Sequence, residues 1–372
     1  MRIARLEPVC VRLPLKPERR MISALGKHDV SDFVLLRVIT DDGQIGVGEA
    51  TVTPRWSGET IWGTAAIIEH VFAPVIQGCD PADIAEIERR IDAVAVDNWF
   101  AKSAVEMACW DLVGKAAGKP VYDLLGGACR DMTIRNRFSI GAYAPEVAAQ
   151  RAIERVAVGF DTIKVKVGTD PVQDVARVRA VREAIGDQIT LMIDANGGWT
   201  LEQALWSWER IVDCKIAMVE QPLIRGDYTR LKQLREKTGC KILADESCFD
   251  EIEARELLEQ GCCDVLSLYP GKQGGIARAK RIAELAAQHS VPCSIGSNLE
   301  WDVGAAAMLH FIVSTPNMQV DDYPGDCLGP FYHEVSIAKN PLKIAGPCTT
   351  LHRESGLGID VDWNIVEQHR LR

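Results

Sequence analysis

The chain has 372 residues, 47% of them apolar and 25% charged, with a formal net charge of −10. The fractions are ordinary for a globular protein, and the length predicts two domains, one of them barrel-sized. The negative balance argues against a nucleic-acid backbone or an anionic membrane as the main partner, so an anionic ligand must be met by a local cation.

No run of about 18 uncharged apolar residues occurs, so no transmembrane helix is expected. The opening MRIARLEPVC carries Glu7 and lacks an apolar core segment, so it is not read as a signal peptide. Twelve cysteines are scattered without a CxxC pair, and the adjacent Cys262 and Cys263 suit neither a zinc site nor ordinary disulfide geometry. Reduced thiols in a cytoplasmic protein are the expectation.

Residues 1 to about 50 alternate as strands do. IARLEPVCVRL and FVLLRVIT read as two strands, and DDG at 41–43 turns the chain into a third, QIGVGEA. Lys16 to Asp32 is a polar connection longer than a hairpin needs, and Thr51 to Thr60 is a second irregular stretch. Both are candidate lids or binding loops. Helical spacing follows in TIWGTAAIIEHVFAPVI, PADIAEIERRIDAV and AKSAVEMACWDLVGKAAGKPVYDLLGG. Strands followed by helices predict an α+β domain over residues 1–125.

From about residue 132 strands and helices alternate. Strands are expected at 133–140, 162–167, 190–195, 216–220, 241–245, 264–268, 291–296 and 317–321. That beat predicts a parallel (β/α)7β TIM-like barrel over 126–350 rather than an open doubly wound sheet, which would gather its chemistry at one switch point. After 322 the chain loses the beat, and the tail at 351–372 is expected to pack back on the first domain.

Five charged residues end consecutive apolar runs of this barrel: Lys166, Asp194, Glu220, Asp245 and Lys272, at intervals of 28, 26, 25 and 27 residues. Chemically able side chains at successive strand ends face one mouth. Asp194, Glu220 and Asp245 would repel one another and carry raised pKa values unless a hard divalent cation lay between them. Three acidic oxygens plus water and substrate make an octahedral Mg2+ site, and Mn2+ fits almost as well. Asn196 and Glu246, next to these acids, are expected to orient them. Lys164 and Lys166 lie two apart on a strand and project to the same face. Their repulsion and a nearby cation should pull a lysine pKa down toward a useful base. Two bases flanking a cation site suit proton removal next to a metal-chelated carboxylate, a chemistry in which a Lys or His base is commonly paired with Mg2+. A Schiff-base aldolase would also bury a lysine in a barrel but needs no acidic triad.

In these motifs the chain resembles the enolase superfamily, specifically its muconate lactonizing enzyme subgroup. Lys164-Val165-Lys166 is similar to that subgroup's KxK, Asp194-Ala195-Asn196 to its DxN and Glu220-Gln221-Pro222 to its ExP. Asp245-Glu246-Ser247 is similar to its DE motif and Lys272-Gln273-Gly274-Gly275 to its KxGG, while GVGEA at 46–50 and residues 104–127 resemble its capping domain. The resemblance implies Lys166 and Lys272 as an acid/base pair on opposite substrate faces, Lys164 supporting the enolate, and Asp194, Glu220 and Asp245 as metal ligands. It also implies a homo-oligomer and a small carboxylate substrate. CSIGSNLE on the seventh strand has no histidine base, which separates the chain from the mandelate racemase branch.

Specificity in the superfamily is set by the capping loops, here 16–32 and 51–60. They offer Arg19, Arg20, Lys27, His28, Arg55 and Trp56, and the barrel adds Glu300 and Asp326. Asp326-Cys327-Leu328-Gly329-Pro330 replaces the cycloisomerases' glutamate with a shorter acid, and Leu328 breaks the DxD of dipeptide epimerases. The resulting expectation is a muconate-type cycloisomerase. The alternatives are a racemase or epimerase of N-substituted amino acids and an o-succinylbenzoate-synthase-like dehydratase.

Overall fold

The computed structural model describes residues 1–371. The N-terminal unit begins with β1 (Ile3–Pro14), β2 (Met21–Ser23), β3 (Gly26–His28), β4 (Val30–Thr40) and β5 (Ile45–Val52). β1, β4 and β5 form an antiparallel sheet in the order β1-β4-β5. The expected turn at 41–43 joins β4 to β5, and Gly43, at φ 83°, supplies its left-handed position.

The 16–32 connection is not an open loop. After a 3-10 turn at Pro17–Arg19 it folds into a two-stranded ribbon, with Met21 opposite His28 and Ser23 opposite Gly26. The 51–60 stretch contains a helical turn at Pro54–Ser57. The helix beginning at Ile61 carries one π turn, at Ile68–Phe72, before ending at Ile76.

The helix Trp99–Ala117 is buried on nearly every side, from Phe100 to Gly114. One face lies on β5. A Cβ at Gly46 or Gly48 would collide with the carbonyl oxygens of Ala108 and Ala104, so glycine there is what allows the close approach. Another face meets the barrel. Glu106 accepts hydrogen bonds from Ile276 N and Ala277 N, both 2.8 Å, and so caps the barrel helix Ile276–Gln288 from the neighbouring unit. Glu49 on β5 does the same for the helix Asp302–Val313, through Trp301 N (2.7 Å) and Gly304 N (3.0 Å).

Next come β6 (Thr133–Arg135), β7 (Phe138–Ile140), β8 (Thr162–Lys166), β9 (Thr190–Asp194), β10 (Ile216–Glu220), β11 (Ile242–Ala244), β12 (Val265–Leu268) and β13 (Cys293–Ile295). β7 to β13 lie side by side in chain order as a parallel sheet with helices between them. This is the TIM-like barrel with an N-terminal capping unit.

Two strand expectations are corrected. Segment 133–140 breaks at Asn136, whose side chain caps Pro347 O and Thr349; β6 therefore leaves the barrel to pair with β15 (Cys348–Thr350), which in turn pairs with β14 (Lys343–Ala345). The eighth strand at 317–321 is reduced to one bridge, Met318 to Cys293. The ring is closed instead by Arg137 N donating to Gly325 O at 2.8 Å and by Gly325 lying against Ile295, where a Cβ would not fit.

The tail returns to the N-terminal unit. Leu371 N donates to Cys10 O (2.9 Å), Leu357 N donates to Asp111, and Arg37 stacks on Trp363. All twelve cysteines are unpaired, and Cys262 and Cys263 are both buried. Among the described residues no helix is long and apolar enough to cross a membrane.

Burial pushes Glu106 up to about 7, against the hydrogen bonds from Ala277 and Ile276. The folded pKa lies above the ordinary value of 4.5, so the stability this group contributes is full below about 4.5 and is lost as pH rises through about 7. Glu106→Gln, which cannot ionise, should therefore lose less Tm than the native protein between about pH 5 and 8. Parallel Tm curves in thermal scans would contradict this.

Candidate active site

The site starts from strand register. Lys166 on β8 pairs with Asp194 on β9, and Asp194 pairs with Glu220 on β10, so three charged strand ends stand level. Asp245 follows β11 directly. Just beyond the ends the chain turns through left-handed conformations at non-glycine residues: Asn196 (φ 44°), Gln221 (φ 34°) and Leu299 (φ 61°). Such conformations persist only where the surroundings hold them, and they gather at functional sites. Gln221 shows what holds it. Its Oε1 accepts from Asp245 N and Ser247 N, and its Nε2 donates to Leu223 O and Ser247 Oγ, so one buried amide staples the ends of β10 and β11.

Lys164 and Lys166 do point the same way. Lys164 Nζ lies 2.7 Å from both Asp194 Oδ2 and Glu220 Oε1; Lys166 Nζ lies 2.6 Å from Asp194 Oδ2 and 2.8 Å from Asn196 Oδ1. Glu220 Oε2 accepts from Arg137 Nη2 at 3.1 Å. Lys272 stands on a single helical turn, Pro270–Gln273, and is fully buried. Its Nζ donates to Asp245 Oδ1 (2.7 Å), Asp245 O (2.8 Å) and Ser267 O (2.7 Å), with the Tyr269 ring 4.8 Å away. The two glycines after Lys272 have a steric reason, since a Cβ at Gly275 would press on the Glu106 carboxyl group.

The charges settle differently from expectation. Burial alone would raise Asp194, but Lys164 and Lys166 overrule it and hold its carboxyl below the usual range. Glu220 is raised by burial and by Asp194, and Glu246 is raised to about 8 by burial and by Asp245 and Asp194. Burial pulls Lys166 down, yet Asp194 and Glu220 outweigh it, so its pKa lies above the ordinary value. Without a cation between the acids, the facing carboxylates outweigh burial of the Lys166 ammonium.

Among the described residues no three His, Cys, Asp or Glu groups converge closely enough to share an ion as they stand, because lysine ammonium groups sit between the carboxylates. The donor chemistry nonetheless fits a hard dication. Asp194, Glu220 and Asp245 offer carboxylate oxygens from adjacent strands, and Glu246 Oε2 beside them is buried with no hydrogen-bond donor.

Above these groups lies a cavity of about 130 Å³ between the two units. Its barrel wall includes Arg137, Ser139, Lys164, Lys166, Asn196, Glu220, Asp245, Asn298 and Asp326; its roof includes Met21, Ser23, Leu25, Lys27, His28, Thr53, Arg55 and Trp56. Asp194, Glu246 and Lys272 lie behind this wall. Arg55 Nη1 donates to Leu25 O at 2.7 Å, tying the two capping segments together, and His28 pairs with Ser31. Burial lowers the pKa of His28 and raises that of Asp326, the latter against Arg137.

Three candidates stand elsewhere. Arg19 is stacked on Phe331, with its guanidinium donating to the Phe331 carbonyl, and Arg20 faces Asp29 at 4.0 Å. Glu300 points into the protein, accepting from Ser297 Oγ and Asn298 N. Sequence reasoning missed Arg137 and Asn298. Arg137 had a signal, a charge at an inward phase of a strand; Asn298 had none.

A β/α barrel with acids and lysines at its strand ends, roofed by an α+β unit, defines a two-domain barrel enzyme. Residues 7–126 match the family "Mandelate racemase / muconate lactonizing enzyme, N-terminal domain", and residues 147–365 match "Enolase C-terminal domain-like". The chain belongs to the enolase superfamily, and it is an isomerase. The hydrophobic dipeptide epimerase of Enterococcus faecalis is 36% identical, over 93% of this chain and 96% of its own. A solved dipeptide epimerase from the same organism, complexed with Mg and the dipeptide L-Leu-L-Tyr, is 33% identical with a TM-score of 0.89, covering 97% of this chain and 100% of that one. N-succinyl Arg/Lys racemase from Bacillus cereus superposes with a TM-score of 0.95 at 27% identity, covering 100% and 99%. A 2-chloromuconate cycloisomerase from Rhodococcus opacus does so with 0.95 at 28%, covering 100% of both.

Arg137 is nearly fully buried against Glu220. Arg137→Met removes one partner of a buried pair and should lower the unfolding free energy by about 3–5 kcal/mol in urea denaturation. A loss below about 1 kcal/mol would mean that Lys164 alone neutralises Glu220.

Proposed function

We propose that this isomerase interconverts the two configurations at the carbon beside the carboxylate of an N-substituted amino acid, N-acyl amino acids and dipeptides being the substrate class. One observation carries the reading: Lys166 ends β8 and Lys272 follows β12, four strands along the ring, with Asp194, Glu220 and Asp245 ranged between them. Two bases on either side of one bound carbon are what inversion requires. One removes the proton from one face and the other returns a proton to the opposite face.

In this reading Lys166 takes the proton from one antipode and Lys272 gives one to the other face; for the reverse direction they exchange roles. Lys164 faces the negative charge that grows on the substrate carboxylate. Asp194, Glu220 and Asp245 would hold Mg2+, with Mn2+ as a fitting substitute, and the ion would supply Lewis-acid stabilisation of that charge. Lys166 must be neutral to act as a base. As it stands, its ammonium is held by Asp194 and Asn196. Lys272 is anchored by Asp245 and Ser267. Asn196 and Glu246 orient Lys166. Asp326 faces the nitrogen substituent, and Lys27, His28, Arg55 and Trp56 shape the far wall. Arg19, Arg20 and Glu300 act outside the cavity.

The likeness to dipeptide epimerases and to an N-succinyl amino acid racemase supports this reading over the cycloisomerase expected from the motifs. A second reading, cycloisomerisation of an unsaturated dicarboxylate, is favoured by one feature: Lys27 and Arg55 line the cavity without an acidic partner among the described residues, as a second carboxylate would need.

Incubation in D2O separates the two. An N-acyl amino acid or dipeptide should exchange its α-proton and lose optical purity; ring closure of a muconate with no exchange in any amino acid derivative would sink the proposal. Lys166→Ala and Lys272→Ala should each slow inversion by about 100- to 10,000-fold. Each should still exchange the antipode whose proton the remaining lysine removes.

Metal removal gives an independent check. EDTA should abolish exchange and Mg2+ should restore it, with Mn2+ restoring part. Full exchange after exhaustive chelation would remove the metal from the scheme.

A further inference from the structure

We infer that Trp56 is a positioning residue for Lys166, reaching it through a chain of hydrogen bonds that crosses from the capping unit into the barrel, and that Asn298 seats it. The inference rests on the two-lysine reading above. Trp56 belongs to the capping turn Pro54–Ser57, yet its indole lies among barrel side chains, 5.1 Å from the Phe249 ring and 5.7 Å from Tyr269, and Phe100 meets it edge-on at 5.9 Å. The ring is therefore fixed on several sides, and its N–H has one direction.

That N–H donates to Glu246 Oε1 at 3.1 Å. The same oxygen accepts from Asn196 Nδ2 at 2.9 Å, and Asn196 Oδ1 accepts from Lys166 Nζ at 2.8 Å. The Asn196 amide has only one workable orientation, since its NH2 faces a carboxylate oxygen and its oxygen faces an ammonium. Glu246 has no second anchor, because its Oε2 is buried without a partner. Both of its hydrogen bonds meet on Oε1. Removing the indole donor leaves the carboxyl group held by Asn196 alone, and Asn196 together with Asp194 sets where the Lys166 amine rests.

Trp56 is itself placed from the barrel side. Asn298 Nδ2 donates to Thr51 O at 2.8 Å, and its Oδ1 accepts from Thr53 Oγ1 at 3.1 Å. Thr53 O in turn accepts from Trp56 N at 2.9 Å, which starts the turn that carries the indole. Asn298 is held by its own N–H on Glu300, which gives that buried acid a task away from the substrate. A capping segment out of place would thus leave the base misaligned, and seating it would align the base.

The test uses Trp56→Phe, which keeps an aromatic ring in the cluster and removes only the N–H. Exchange in D2O is followed separately for each antipode of an N-acyl amino acid. The kcat for exchange of the antipode whose proton Lys166 removes should fall about tenfold relative to the other antipode, as expected for about one hydrogen bond's worth of alignment, while a change in KM from the altered cavity wall should be common to both. Exchange through Lys272 should stay within about twofold, and Asn298→Ala should show the same asymmetry. Equal loss for both antipodes, or no loss, overturns the inference. A crystal structure of Trp56→Phe decides it independently of the reaction. A shifted Lys166 amine or a turned Asn196 supports the inference, and an unchanged contact between them overturns it. If the native protein exchanged neither antipode, the proposed function would fail while the crystallographic outcome still stood.

Discussion

Lys164 places one nearly buried ammonium between carboxylates of two neighbouring strands. Neither the cation nor the acids could be buried there alone, because an isolated buried charge costs several kcal/mol. The level register of β8, β9 and β10, the left-handed turns after them and the Gln221 staple all serve to bring these charges within hydrogen-bonding distance. Asp194 is held ionised by this contact, and Lys166 is held protonated by the acids it shares with Lys164.

The capping unit adds no charge to that lattice. What it contributes is shape, exclusion of solvent and alignment. The short ribbon of β2 and β3 roofs the cavity with mixed apolar and polar side chains, while Trp56 goes further and enters the barrel wall. The charged strand ends and the roof of the cavity are therefore built by different elements, which meet at Trp56 with Glu246 and at Asn298 with Thr51 and Thr53.

Much of this was legible in the chain because it is local. Lys164 and Lys166 share a face by the two-residue period of a strand, and the regular interval between Lys166 and Lys272 follows from one strand, one helix and two loops per unit. What depended on distant contacts was not legible. The strand at 133–140 breaks because the Asn136 side chain binds the chain more than 200 residues later. The closing segment near Met318 and Gly325 joins the barrel through isolated bonds, which leave no alternation to read. The sign of the Lys166 shift is a sum over neighbours on three strands. Arg19 and Glu300 have the residue types of ligands, but their directions are fixed by Phe331 and by Asn298.

Glu106 and Glu49 each cap a barrel helix from outside the barrel, and the helix Trp99–Ala117 has almost no face left for solvent. A capping unit detached from its barrel would expose the flank of that helix and two helix ends would lose their acceptors. The boundary between the two family matches thus runs beside a packed seam, and cutting the chain there would strip buried contacts from both halves.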